Sequence, residues 1–229
     1  MLLVVNGCSY TYGYEIDESV REKSCYGNVL ADKIWYDSFN IAVSGSSNDR
    51  IFRTTLDWIF KNDYEKVFFV IGWTNKNRRE YYYAPYKNYI QLVNRGYTQD
   101  FDNKIRQQMY EWYYEDCILS DDASDDINYL HNVINLQNVF KSRNINYLMF
   151  DCVKNHSWQK SNECFYNEID YERYVTETTF LDYVEERGYP FEPYGPQKNL
   201  RGHPLEEAHK AWGHYLFDYV KEHDIIQNI

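Results

Sequence analysis

Four short stretches of the chain carry residue types that can do chemistry. The first is "GCSYTYG", residues 7–13, in which Ser9 stands between two glycines. The others are Ser44-Gly45-Ser46-Ser47-Asn48, Gly72-Trp73-Thr74-Asn75 and Gly202-His203-Pro204. A serine hydroxyl is a weak nucleophile until a base takes its proton, and imidazole is the commonest such base near neutral pH. Side-chain amides and backbone N–H groups can hold an oxygen that gains negative charge. A hydroxyl, a tight glycine, an amide and a histidine are therefore a set suited to nucleophilic catalysis, provided one place in the fold collects them. The plain alternative for Ser9 is a turn or helix-capping hydroxyl, for Gly45 a turn glycine, and for His203 a helix-start residue.

The elements that must position these residues are legible as apolar runs. Residues 2–5, 39–43, 66–72 ("KVFFVIG") and 145–151 ("INYLMFD") read as fully buried, parallel strands. Between them, Val29, Leu30, Ile34 and Trp35, then Ile51, Phe52, Leu56, Ile59 and Phe60, then Ile127, Leu130, Ile134 and Phe140 fall at helical spacing. A last helix follows His203, with Pro204 in its first turn and a stripe through Leu205, Ala208, Trp212, Leu216 and Tyr219; Gly213 inside it is a mild cost. This alternation predicts an α/β fold, a three-layer α/β/α sandwich around a flavodoxin-like parallel sheet. Ligands of such sheets bind beyond the carboxyl ends of the strands, where all four stretches lie.

The expected organisation is one domain over 1–229 with insertions at about 77–125 and 152–200. The first should hold one helix (Ile105, Met109, Trp112, Tyr113), the second a helix near 178–186. Insertions of this length serve as lids, binding loops or contacts in a homo-oligomer.

Composition narrows the partners. With 35 acidic against 24 basic side chains and a net charge of −11, neither a nucleic-acid backbone nor an anionic membrane surface is expected. Residues 1–5 lack the basic flank and length of a signal peptide, and no stretch has the length of a membrane span, so a cytoplasmic or otherwise soluble protein is expected. Five cysteines at irregular spacing (Cys8, Cys25, Cys117, Cys152, Cys164) suit reduced thiols. No metal or other cofactor is expected: His203 and Glu207 have the i, i+4 spacing of ligands, but no third ligand is evident. His209 and His214 are expected to be surface or half-buried. The 25 tyrosines suit core edges and half-wet clefts, including a groove for sugar rings.

The four stretches resemble the blocks of the SGNH (GDSL-type) hydrolase superfamily, in order and across most of the chain. The family's first block, Gly-Asp-Ser-x-Thr-x-Gly, is matched by "GCSYTYG" with Cys8 in place of the aspartate. Gly45 matches the second-block glycine, and "GWTN" resembles the Gly-x-Asn-Asp third block, with Thr74 at the asparagine position and Asn75 one later. His203-Pro204 matches the Asp-x-x-His-Pro fifth block, with Leu200 where the family has aspartate. The resemblance implies that Ser9 is the nucleophile and His203 its base. Backbone N–H groups of Ser9 and Gly45 with the amide of Asn75, or Thr74 more weakly, would form the oxyanion hole. It implies hydrolysis of an ester, an O-acetyl or other acyl ester on a small molecule or a carbohydrate. Tyr10, Thr74 and Arg78 are candidate substrate contacts; Arg78, Arg79 and Glu80 otherwise form a solvated charge cluster. With no acid in "GPQKNLRG", His203 would be oriented by a backbone carbonyl, by Glu192 or Asp151, or by nothing. Two further readings remain: an inactive SGNH-fold module that binds glycans or serves a structural role, and a nucleotide binder, which the absence of a phosphate-cradling glycine loop after the first strand disfavours.

Overall fold

The computed structural model describes residues 1–63, 65–84, 87–93, 96–97, 107–109, 111–115, 122–155, 162–193 and 201–226. Its centre is a five-stranded, all-parallel sheet in the order β2-β1-β3-β7-β8, the flavodoxin-like arrangement. The strands are β1 (Leu2–Asn6), β2 (Asp37–Asn40), β3 (Val67–Trp73), β7 (Asn146–Asp151) and β8 (Tyr174–Val175).

Side chains alternate across this sheet and meet a different helical layer on each face. On one face Leu3, Val5, Phe68, Val70, Leu148 and Phe150 pack under α3 (Tyr26–Ile34), α7 (Phe180–Glu186) and α8 (Glu206–Glu222). On the other, Val4, Phe69, Ile71, Tyr147 and Met149 pack under α4 (Asn48–Lys61) and α5 (Asp122–Ser142). Continuous apolar runs at β1, β3 and β7 follow from this two-sided burial.

Several expectations need correction. The second strand runs over Asp37–Asn40 rather than 39–43 and is exposed along its length, because it is the sheet edge and pairs only with β1. Trp35 is 90% exposed: it caps α3 in the left-handed conformation and leaves the helical stripe. Phe60 turns to solvent too, with the Arg143 guanidinium over its ring. Pro204 precedes α8 rather than sitting in its first turn; it ends β10 (Arg201–Pro204), which pairs antiparallel with β9 (Phe191–Pro193). His203 therefore lies on a hairpin strand, and His203 and Glu207 do not share a helix. Gly213 is a packing requirement rather than a cost, since a Cβ there would stand 2.7 Å from Val29 Cβ and 2.9 Å from the Tyr26 carbonyl oxygen, where α8 crosses α3.

The first insertion is chiefly a three-stranded antiparallel sheet, β4 (Arg79–Tyr83), β5 (Asn88–Val93) and β6 (Gly96–Tyr97). Residues 107–109 and 111–115 are helical and cover it, with Tyr113 buried and the Trp112 ring 4.2 Å from that of Tyr81; Ile105 lies outside the described residues. The expected helix near 178–186 forms as α7, capped by the Thr179 hydroxyl accepting from Asp182 N–H. No helix among the described residues is long and apolar enough to cross a membrane.

Candidate active site

The four stretches stand at the carboxyl ends of β1, β2 and β3 and on the hairpin before α8. At the first, buried Asn6 ends β1: its amide nitrogen donates to the Ile51 carbonyl (3.0 Å) and to the hydroxyls of Thr54 (3.0 Å) and Thr55 (2.8 Å) on α4. Its side-chain oxygen accepts from Gly7 N–H at 2.8 Å. The strand exit is thus fixed to the first turns of α4, and the chain turns at once into α1 (Ser9–Tyr12). Ser9 opens that turn and is 3% exposed.

Cys8 points beneath it, wholly buried, into contact with Cys152 and Thr74. Burial pushes the Cys152 thiol up, while its hydrogen bond to Cys8 holds the Cys8 thiol down, with the nearby Arg78 charge acting in the same sense. Cys8, Cys25, Cys152 and Cys164 are free thiols, and Cys117 lies outside the described residues.

The third stretch is tied to the second by a reciprocal pair. Asn48 Nδ2 donates to the Thr74 carbonyl (3.0 Å) and Thr74 N–H donates to Asn48 Oδ1 (2.9 Å). Asn155 Nδ2 adds a second bond to the same carbonyl at 2.8 Å. Thr74 is buried and its hydroxyl faces Cys8, so it serves the turn itself. Asn75 is half-buried; its Oδ1 accepts from Asn77 N–H at 3.0 Å, and its Nδ2 donates to no described residue. Gly45 sits in the second turn at φ 77°, the left-handed region that glycine enters freely.

The acid missing near position 200 comes from the other end of the chain. Glu15 Oε2 accepts two hydrogen bonds from His203, one from the backbone N–H at 2.8 Å and one from ring Nδ1 at 3.0 Å. Both side chains are largely enclosed, at 17% and 19% exposure. Donation from Nδ1 leaves Nε2 as the basic nitrogen, and Nε2 bonds to no described residue. The rings of Tyr10 and Tyr14 flank the imidazole at 5.4 and 5.1 Å between centroids. Glu15 holds φ 73°, a conformation that non-glycine residues avoid, just after the first block. Gly202 makes room for the arrangement: a Cβ there would stand 2.2 Å from the Glu192 carbonyl oxygen and 2.8 Å from Glu15 Oε2.

Neither acid named from the sequence takes this place. Asp151 accepts from Tyr129 Oη (2.9 Å) and Asn155 Nδ2 (2.8 Å), and Glu192 offers its backbone. Leu200 lies outside the described residues. The one signal for Glu15 was its position six residues after Ser9, which no motif marks.

The charge cluster of the first insertion divides. Arg79 is bonded to Asp125 and to the Lys76 carbonyl (2.8 Å). Glu80 forms a two-point pair with Arg53, both contacts at 2.7 Å. Arg78 reaches the second stretch, donating to the Ser46 carbonyl at 3.2 Å.

His209 corrects a further expectation, being fully buried rather than half-exposed. It stacks on Tyr26 and meets Phe180 edge-on, and neither ring nitrogen has a partner among the described residues. Burial, and secondarily the nearby His203, pushes its pKa down from 6.5 to about 3. Between these values the unfolded chain binds the extra proton, so this contribution to stability is complete above pH 6.5 and is lost as the pH falls toward 3. In urea titrations, wild type will lose about 2 kcal/mol more than His209→Leu between pH 7 and pH 5. Equal losses would contradict a neutral, buried imidazole.

Among curated proteins, none matches the sequence. Solved structures that resemble it are esterases and hydrolases. The psychrotrophic esterase EstA from a Pseudoalteromonas species is 10% identical at a TM-score of 0.51, over 96% of this chain and 97% of that one. LAE5, an α/β hydrolase from the metagenome of Lake Arreo, Spain, is 12% identical at 0.50, over 96% and 94%. A two-domain esterase active on acetylated mannans is 12% identical at 0.51; this chain is covered over 99% and spans about half of that protein, 50%. At such identities the likeness is one of fold, the α/β/α fold of SGNH-type hydrolases. A model of a family of unknown function, DUF6071, matches residues 13–229, and the chain belongs to that family.

Proposed function

We propose that this chain is a serine hydrolase of esters in which Ser9, His203 and Glu15 act together. The observation that carries the reading is the Nδ1 hydrogen bond from His203 to Glu15 at 3.0 Å, with the imidazole packed against Tyr10, the neighbour of Ser9. Glu15 fixes the tautomer whose Nε2 can accept a proton, and its charge stabilises the imidazolium that forms.

In the first half-reaction His203 Nε2 takes the Ser9 proton as Oγ attacks the acyl carbon. The carbonyl oxygen becomes an oxyanion held by the N–H groups of Ser9 and Gly45 and by Asn75 Nδ2. One such donor is typically worth about 3 kcal/mol of barrier. Collapse expels the alcohol, which receives the proton from His203, and leaves Ser9 acylated. Water, deprotonated by the same imidazole, then releases the acid and restores Ser9.

An O-acetyl ester on a carbohydrate is the favoured substrate class. The fold is shared with an esterase active on acetylated mannans, and Tyr14 and Tyr89 stand exposed along a cavity beside the site. The reading of an inactive binding module rested on the lack of an acid for His203, a role Glu15 is placed to fill. Purified protein should release p-nitrophenol from p-nitrophenyl acetate and acetate from acetylated oligosaccharides. No release from either would overturn the proposal.

A further inference from the structure

The loop that carries Gly45 is gripped by two arginines whose charges no described carboxylate pairs. Arg50, on the first turn of α4, donates from Nη1 to Ser46 Oγ at 3.2 Å. Arg78, after β3, donates from Nη1 to the Ser46 carbonyl at 3.2 Å. Both side chains are half-buried, and Ser46 between them is fully buried.

Among the described residues, the carboxylates nearby make their bonds to other partners. Glu80, 3% exposed, gives both oxygens to Arg53, and one of them also accepts from Gln91. Asp49 accepts from Asn132 on α5 at 3.0 Å, and Asp57 lies against Arg53 and Lys61 further along α4. Two guanidinium groups, Arg50 and Arg53, thus share the field of a single buried carboxylate, in a chain whose net charge is −11. Desolvating a cation without a counter-ion is costly, and a guanidinium keeps its charge regardless. Burial is the main influence on Arg50, lowering its pKa; the Glu80 charge acts against it and Arg53 with it.

Arg50 also lines a cavity of about 550 Å³ with Tyr14, Ser44 and Tyr89 and with the Arg53–Glu80 pair, so two cations face it against one carboxylate. One wall of it, Tyr14, touches the His203 ring, and another, Ser44, precedes Gly45. The Arg78 charge is felt at Cys8 and at Tyr10, the two neighbours of Ser9. Arg50 therefore stands in the cavity beside the site, and Arg78 on the loop that carries Gly45.

We infer that the substrate is an anionic ester whose carboxylate is bound by Arg50 in the cavity between Tyr14 and α4, with Arg78 holding the Ser46 carbonyl beside it. The inference rests on the esterase reading for its chemistry and on the arginines for its charge. In carbohydrate terms, the substrate class becomes an O-acylated acidic sugar.

A matched pair of aryl esters tests this, 4-carboxyphenyl acetate against its methyl ester. Wild type should favour the carboxylate in kcat/KM, and Arg50→Ala should cut that preference by about 10- to 100-fold, as expected for a charged hydrogen bond. Arg50→Lys should retain part of it, and Arg78→Ala should reduce it as well. A preference for the neutral ester, or one unmoved in both alanine variants, would overturn the inference. Binding of the two compounds to Ser9→Ala, measured by calorimetry, separates the claims. If wild type hydrolyses neither ester, the esterase reading fails, while tighter, Arg50-dependent binding of the carboxylate would still uphold the anion site and its absence would end it.

Discussion

Ser9→Ala will lower kcat/KM for p-nitrophenyl acetate by about 10⁶-fold, the scale seen when a serine hydrolase loses its nucleophile. The expectation follows from the placement of the hydroxyl. Ser9 opens α1 at the end of a strand whose exit is held by Asn6, so its side chain has little freedom to be replaced by a neighbour. Cys8, the adjacent nucleophile, is wholly buried and engaged with Cys152 and Thr74, and it cannot take over without unpacking the turn. Folding should be little affected, because alanine fits where serine was. Steady-state kinetics with a thermal melt check both halves, and a variant retaining more than about a hundredth of wild-type activity would remove Ser9 from the mechanism.

Glu15→Ala will cost about 10⁴-fold in kcat, comparable to removing the orienting acid of a serine-protease triad. Glu15→Gln should cost less, about 10- to 100-fold, the scale of a charged hydrogen bond. The difference comes from the geometry. A single oxygen, Oε2, accepts from both the backbone and the ring of His203, so an amide oxygen in the same place preserves the tautomer and removes only the charge. A merely structural carboxylate would show itself as a lowered melting temperature with kcat intact. An orienting role predicts the reverse, a fall in kcat with KM nearly constant.

Much of the frame was legible in the sequence for a physical reason. β1, β3 and β7 are covered on both faces, so their side chains read as unbroken apolar runs, and the residues at their carboxyl ends could be compared directly. Edges and short pieces lack that signal. β2 is exposed, β8 is a two-residue strand, and the β4–β6 sheet is rich in tyrosines that also suit a cleft. Trp35 and Phe60 fit helical periodicity yet face solvent, because periodicity does not say where a helix ends or which ring an arginine covers.

The site divides along the same line. Ser9, Gly45 and His203 stand in blocks whose order could be matched, while Glu15 could not be found that way. Its role depends on a left-handed backbone and on a hairpin that brings residue 203 back to residue 15, a separation of 188 positions that no local pattern encodes. No pattern in the sequence singles out Arg50, and only the folded loop shows it beside Arg78 on Ser46.

Covalent labelling measures the central claim most directly, since an organophosphonate reacts only with a serine whose proton a base can remove. After treatment with a fluorophosphonate, peptide mass spectrometry should find one adduct per chain, on Ser9, with labelling lost in His203→Ala and slowed in Glu15→Ala. An unmodified Ser9 in folded wild-type protein, or an adduct confined to another residue, would contradict the account.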